Sequence, residues 1–516
     1  MSNSDPLYQL IKSLSKSEKR NFKLYVNRIQ SNEESKFMML FDVMDKLNEY
    51  SEDKILQKAN DISKTQLSNL KAHLYKQILM SLRLNASNQD LDIYLREQID
   101  YAKLLYNKGL YNQSLKMLDK AKASASEFEK NAILLEILDF EKHIESQYIT
   151  RSMDSTAEEI TSRSSLLSKK ISGTNSFSNL GIRLYGLYLR TSHVRNEKDF
   201  LFVSEFFKSN LPPYNIDELS FFEKLYLYQS YVWYNYIVQD FLTCYKYASR
   251  WVDLFEENAH LIPVYADLYL KGLHNLMAAL FFINHRQKFT EVLQKLEKLG
   301  TEEFILSNEN NSVLLFQYRY INRINFHFMN GTFSEGLYLV KKIEDGIARY
   351  EKKVDDNRVL NFYYKIGCLY FGSGDNKMAI RYLTKVINHS SQIRSDIHGF
   401  SHILNLISHY ELGNTEMVQY QIRSVFRFLS KLEEMNQVQQ HILNFLRKVP
   451  TMDTISVKKE FIKLRSSLIK LQQDPYEKRA FLYLDIIAWL TCKIENRSIQ
   501  DVMREKALNK AKIIHE

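Results

Sequence analysis

Two stretches of the sequence contain residue types that could do chemistry. Residues 367–377 read Gly-Cys-Leu-Tyr-Phe-Gly-Ser-Gly-Asp-Asn-Lys, a glycine density that could form a phosphate-binding loop. Such a loop needs a preceding buried strand and a Gly-Lys-Ser/Thr ending, whereas the flanks here follow a helical pattern. His398 and His402 have the spacing of two metal ligands on a helix, with His409 seven residues further on, but no HExxH glutamate adjoins them. We therefore expect a turn at the glycines and no metal site.

No other signature of catalysis is present. The sequence has no GxSxG elbow, no kinase motif set and no dinucleotide-binding fingerprint. Cys244, Cys368 and Cys492 lie far apart without a CxxC motif, which argues against a disulfide framework or zinc site and fits a reducing compartment. The sequence predicts a protein that is not an enzyme and needs no cofactor.

The elements that must position these residues are helices. The 516 residues include only 14 Gly and 6 Pro, too few for a sheet protein of this size, and 45% are hydrophobic, too many for wholesale disorder. Ser15 and Glu18 fit a capping box that opens the second helix. The longest apolar run, 276–283, is too short to span a bilayer, and the N-terminus shows no signal peptide. We expect an all-α, cytoplasmic protein without membrane insertion.

Small and large residues recur in a helix-turn-helix pattern. The best copy consists of Tyr363, Gly367, Tyr370, Gly374, Ala379 and Leu383. Its turn at Gly374 recurs 43 residues earlier at Gly331 and 39 residues later at Gly413. The same spacing between turns predicts further turns near Arg151-Ser152, Glu197-Lys198, Gln239-Asp240 and Asn284-His285. Stacked helical hairpins with such a period form an α-solenoid.

These residues resemble the tetratricopeptide-repeat superfamily, and the segment 7–20 looks like the start of uncharacterised bacterial repeat proteins. The resemblance assigns structural roles in the repeat to Gly109, Ala121, Gly331, Gly367, Tyr370, Gly374, Ala379 and Gly413. The steps of about 39 to 47 residues exceed the standard repeat of about 34. We therefore expect degenerate hairpins over 91–435, a helical N-terminal unit over 1–90 and a basic helical cap over 436–516.

In that superfamily the first helix of each hairpin lines a concave groove that holds a peptide or protein. Register places the following positions there: Tyr185, Tyr188, Tyr226, Trp233, Tyr236, Tyr318, Phe328, Asn361, Tyr364, Phe371 and Tyr410. Aromatic side chains anchor many interfaces, although these rings could instead pack between neighbouring hairpins. The resemblance thus implies a non-enzymatic scaffold or adaptor for a protein or peptide partner, and predicts that Tyr236→Ala or Tyr364→Ala abolishes capture of that partner without unfolding the chain.

A second hypothesis is a nucleic-acid-associated regulator with a helix-turn-helix in its N-terminal unit. The side chains that would reach base edges are Lys64, Gln66, Asn69, Lys71 and His73. The net charge is +9, and residues 445–516 contain 15 Lys/Arg against 9 Asp/Glu. Residues 1–95, however, contain 14 against 12, a weak electrostatic footprint for a nucleic-acid-binding head.

Overall fold

The computed structural model describes residues 5–29, 34–59, 61–86, 90–147, 154–351, 353–389, 395–431, 435–449, 452–477, 480–483 and 485–513. Within these ranges every regular element is a helix and no strand occurs, which confirms the all-α prediction. The chain divides into two compact units, Met1–Ser168 and Lys169–Glu516.

The first unit is built on a core of large apolar side chains. Its helices are α1 (Pro6–Ser13), α2 (Lys16–Ile29), α3 (Glu34–Lys46), α4 (Glu52–Lys58), α5 (Lys64–Ala86), α6 (Leu91–Asn107), α7 (Tyr111–Glu127), α8 (Asn131–Gln147) and the first part of α9 (Asp154–Thr191). Phe22, Phe41 and Met44 pack in the core shared by the first five helices. The predicted capping box is present, since Glu18 Oε2 accepts from the Ser15 N–H at 2.7 Å and Ser15 Oγ accepts from the Glu18 N–H at 3.2 Å.

The second unit contains the rest of α9 and all later helices. They are α10 (Glu197–Asn210), α11 (Phe221–Ile237), α12 (Phe241–Glu257), a 3-10 helix (Ala259–Leu261), α13 (Ala266–Phe282), α14 (Arg286–Leu299), α15 (Glu303–Leu306), α16 (Glu309–Asn330), α17 (Phe333–Gly336), α18 (Tyr338–Arg349), α19 (Asp356–Ser373), α20 (Asn376–Ile387), α21 (Ser395–Glu411), α22 (Thr415–Lys431), α23 (Gln437–Lys448), α24 (Thr454–Leu471), α25 (Ala480–Tyr483), α26 (Ile486–Glu495) and α27 (Ile499–Ile513). Most of them pack against their neighbours in sequence.

The turns between paired helices share one backbone conformation. Gly331, Gly374 and Gly413 adopt left-handed φ values of 63°, 92° and 72°, and Gln239 and Asn284 do so at 64° and 58° without being glycine. In this conformation the N–H groups after a helix can bond its last carbonyls. The glycine-rich stretch therefore ends one helix and precedes the next.

One of the predicted turns is not found where the spacing placed it, and a second is not tested by the structure. The predicted turn near Glu197-Lys198 was misplaced, because these residues form the first turn of α10, which the side chain of Asn196 caps. The preceding helix ends at Thr191, where Ser192 takes the left-handed conformation, five residues earlier than expected. The turn predicted at Arg151-Ser152 lies outside the described residues.

The last helix folds back onto earlier hairpins of its own unit. Gln500 Oε1 accepts from the Ser334 N–H at 2.9 Å, and Arg504 forms an ion pair of 2.9 Å with Glu335. The guanidinium of Arg286 also donates to the carbonyl of Ala507. Helix α27 is thus held at the start of α14 and at α17. Within the described ranges, no helix combines the length and apolarity needed to cross a membrane.

Candidate ligand-binding groove

The predicted groove residues divide by exposure. Tyr188, Tyr318, Tyr364 and Phe371 are buried. Tyr226, Trp233, Tyr236, Phe328, Asn361 and Tyr410 are half-buried. Tyr185 is the exposed member, with 42% of its surface accessible. Most of these rings therefore contribute to packing, the interpretation that the sequence left open.

Four of the predicted residues do lie together, at the contact between α9 and α11. The ring centroid of Trp233 lies 5.0 Å from that of Tyr185 and 5.4 Å from that of Tyr188, and Tyr236 lies 5.4 Å from Tyr188. His193 adds a ring 4.9 Å from Tyr236. Tyr185 stands at the accessible edge of this aromatic cluster, where a partner could contact it.

Three other predicted residues belong to the core near the C-terminus. Tyr364 and Phe371 lie in the cluster that includes the buried ring of Trp489, and Tyr410 packs against it. The ring centroids of Tyr410 and Trp489 are 6.4 Å apart. Tyr364 and Phe371 are seven residues apart on α19, so they lie on the same side of that helix. That side packs against the following hairpin.

A chain of polar side chains, which we call the polar bridge, connects α13, α16 and α19. It consists of His274, Asn322, Asn325 and Lys365. The amide of Asn322 donates to His274 Nδ1 at 3.2 Å, the amide of Asn325 donates to Asn322 Oδ1 at 3.4 Å, and Lys365 Nζ donates to Asn325 Oδ1 at 2.6 Å. Because Nδ1 accepts, a neutral His274 ring has its proton on Nε2. Tyr318 stacks on that ring with centroids 4.3 Å apart.

The polar bridge contains one cation, Lys365, and two more, Arg358 and Lys271, lie beside it. Lys365 Nζ lies 5.4 Å from the ring centroid of Phe328, and the Arg358 guanidinium lies 5.5 Å from that of Tyr318. Lys271 is on α13, one turn before His274. The nearby carboxylates are Asp355, 3.0 Å from Arg358 Nε, and Asp267 at the start of α13. Aromatic faces attract such cations but do not neutralise them.

The electrostatics of this region disfavour further positive charge. Burial, together with Arg358, lowers the pKa of Lys271. Burial, together with Arg358 and Lys365, lowers the pKa of His274 to about 3. Both side chains nevertheless keep part of their surface accessible. An anion bound beside these groups would relieve the unfavourable positive potential.

Comparisons with protein-family models, with curated proteins and with solved structures find no match for this chain.

Among the groove predictions, Tyr318 and Phe328 contact members of this polar surface. Its cationic and amide residues were missed. The signal lay in their spacing. Lys271 and His274 are three residues apart, Tyr318, Asn322 and Asn325 follow steps of four and three, and Arg358 and Lys365 are seven apart. Each set occupies one face of its helix. Polar residues at helical spacing within apolar helices would have indicated this surface.

The N-terminal residues proposed to read bases are partly engaged elsewhere. Lys71 Nζ contacts Asp5 Oδ2 at 2.6 Å and Glu52 Oε1 at 3.1 Å. The ring of His73 packs on Phe37 with centroids 4.6 Å apart. The remaining three, Lys64, Gln66 and Asn69, are exposed. An ammonium held by two carboxylates is poorly placed to bind phosphate.

His398 and His402, which have the spacing of metal ligands but were not expected to bind a metal, have local contacts. The ring of His402 lies 4.7 Å from that of Phe428, and burial together with His398 lowers the pKa of His402 to about 4. Within the ranges that the structure describes, no group of three His, Cys, Asp or Glu side chains is arranged to hold a metal ion.

Proposed function

We propose that this protein is a non-enzymatic, cytoplasmic interaction scaffold. Its hairpins stack as an α-solenoid similar to tetratricopeptide repeats, and its groove binds an acidic segment of a protein or peptide partner. The binding surface consists of the polar bridge, which includes Lys365, together with Lys271 and Arg358 beside it.

The observation that supports this proposal is the connection of three successive first helices by the polar bridge. Lys365 Nζ donates to Asn325 Oδ1 at 2.6 Å, and the Asn322 amide donates to His274 Nδ1. Side chains of α13, α16 and α19 therefore form one network. Such a network is pre-organised and loses little side-chain freedom when a ligand binds. Charge-assisted hydrogen bonds from Arg and Lys to carboxylates are stronger than neutral ones.

The distribution of the cations favours an extended ligand. Packed helices have axes about 8–10 Å apart, so a surface across three of them spans about 20 Å. An extended peptide covers that distance with about six residues. Stacked and half-buried aromatic rings beside the cations, such as Tyr318 and Phe328, would contact the apolar parts of the same peptide.

The test is a positional library of short fluorescent peptides, measured by anisotropy with the full-length protein. We expect the bound pools to be rich in Asp and Glu, and their affinity to fall as salt rises. Lys365→Met should weaken the best acidic peptide by about tenfold or more, because it removes one charge-assisted bond. Lys377→Met is the matched control, since Lys377 is exposed on α20.

The proposal fails if acidic and amide versions of the selected peptide bind equally well. It also fails if Lys365→Met and Lys377→Met have the same effect while both variants keep the thermal stability of the wild type.

A further inference from the structure

Helix α24 has two apolar faces. Phe461, Leu464 and Leu468 are buried in the core of the second unit. Ile455, Ile462 and Ile469 instead point outward, with 72%, 43% and 45% of their surface exposed. Single exposed apolar residues are ordinary, whereas an exposed apolar patch rimmed by polar residues is typical of an interaction site.

The exposed isoleucines form a straight line bordered by lysines. They recur every seven residues, so at about 100° per residue they lie within an arc of about 40° and extend about 21 Å along the helix. Lys458 borders this line on one side, and Lys459, Lys463 and Lys470 border it on the other. All four lysines are exposed. We call these seven residues the isoleucine-lysine face.

The charge of this face is one-sided. None of its four lysines forms an ion pair with another residue that the structure describes. Glu460 is the one acidic residue in the sequence 454–471, and it is half-buried. A second copy of the chain would bring like charges together, so self-association through this face is disfavoured. The face is complementary to a surface that is negative and has apolar material directly beneath the charges.

We propose that the isoleucine-lysine face binds the surface of an anionic membrane. The isoleucines enter the boundary between headgroups and acyl chains, while the lysines contact lipid phosphates and carboxylates. Anionic lipid attracts each Lys near the surface by an amount that corresponds to about fivefold in affinity. This inference is independent of the proposed groove, because it uses no residue of α13, α16 or α19.

The experiment is co-sedimentation of the full-length protein with phosphatidylcholine vesicles, with and without about 30 mol % phosphatidylserine. We expect binding to the anionic vesicles alone, weakened by added salt. Ile455→Ser, Ile462→Ser and Ile469→Ser combined should reduce that binding by about tenfold or more, and Lys459→Glu with Lys463→Glu by about 25-fold or more. Leu242→Ser, at an exposed leucine of α12, should leave it unchanged.

Three results would overturn the proposal. The first is no binding to anionic vesicles, and the second is equal binding to neutral and anionic vesicles. The third is loss of concentration-dependent dimerisation in the triple serine variant without lipid, which would assign the face to a second copy. Circular dichroism checks that every variant is folded, which is expected because all the substituted side chains are exposed.

Discussion

The carboxylate of Glu141, whose side chain is 1% exposed, lies 2.5 Å from the ammonium of Lys122 and so joins α7 to α8 in the first unit. Breaking a buried ion pair by removing one partner leaves an uncompensated charge and costs about 3–5 kcal/mol. We expect Lys122→Met to lower the free energy of unfolding by an amount in this range, measured by urea denaturation with circular dichroism.

Replacing both partners provides the matched control for that measurement. Lys122→Met combined with Glu141→Leu removes the buried charge and should recover most of the loss. Lys120→Met, at an exposed position of the same helix, should change stability by less than about 0.5 kcal/mol. A single Lys122→Met variant as stable as Lys120→Met would show that Glu141 finds other compensation.

Gly331→Ala should destabilise the protein more than Gly374→Ala. Both glycines are left-handed, so either change costs about 1 kcal/mol from the backbone. A Cβ atom at position 331 would also lie 2.6 Å from the backbone nitrogen of Arg504, whereas nothing lies within 4 Å of one at position 374. Denaturation of both variants measures the difference.

We attribute the additional destabilisation by Gly331→Ala, relative to Gly374→Ala, to the close approach of α27. Deleting residues 498–516 should therefore make Gly331→Ala and Gly374→Ala equally destabilising. If the difference persists in the shortened chain, the close approach of α27 is not its cause.

Stability should fall as the pH falls below 6.5, partly because of His274. Above that pH the imidazole is neutral in both the folded and the unfolded chain and adds no pH dependence. Between pH 6.5 and about 3 the unfolded chain takes up a proton that the folded chain, with its lowered pKa, does not. His402, with a pKa of about 4, likewise lowers the stability of the folded chain as the pH falls below 6.5. Each histidine changes the free energy of unfolding by at most about 1.4 kcal/mol per pH unit.

The histidine contribution can be isolated by a variant. His274→Asn should give a shallower decline of the unfolding free energy between pH 6.5 and 4 than the wild type. Parallel curves for the two proteins would show that His274 is protonated in the folded state at these pH values.

Tyr364→Ala should be far more destabilising than Tyr185→Ala. Tyr364 is 4% exposed, and removing a buried aromatic ring costs about 3–5 kcal/mol. Tyr185 keeps 42% of its surface accessible, so its removal should cost less than about 1 kcal/mol. Thermal unfolding of both variants tests this order, and equal melting temperatures would contradict it. The order differs from the sequence-based expectation that Tyr364→Ala leaves folding intact.

Local rules recovered the helices and most of their turns. Asn284 and Gln239 occupy turns that the spacing predicted, because the end of a helix is determined by a few adjacent residues. The capping box of Ser15 and Glu18 is equally local, with its partners three residues apart.

The groove could not be recovered in the same way. His274 and Asn322 are 48 residues apart, and Asn325 and Lys365 are 40 apart, so their contacts depend on how three helices rotate about their axes. An error of one residue in register turns a side chain by about 100°. That is enough to exchange a buried position such as Tyr364 with a groove position.

Helix α27 gives the second unit a particular order of assembly during synthesis. Arg504 binds Glu335 across 169 residues of sequence. At about 5–20 residues per second, a ribosome needs roughly 8 to 34 seconds to make that intervening chain. Throughout this interval the apolar positions that Ile499 and Met503 later cover, against α16 and α19, remain open to other nascent chains. The hairpins can form one after another as they emerge from the ribosome. The apolar positions in the middle of the unit are buried only when its final helix has been made.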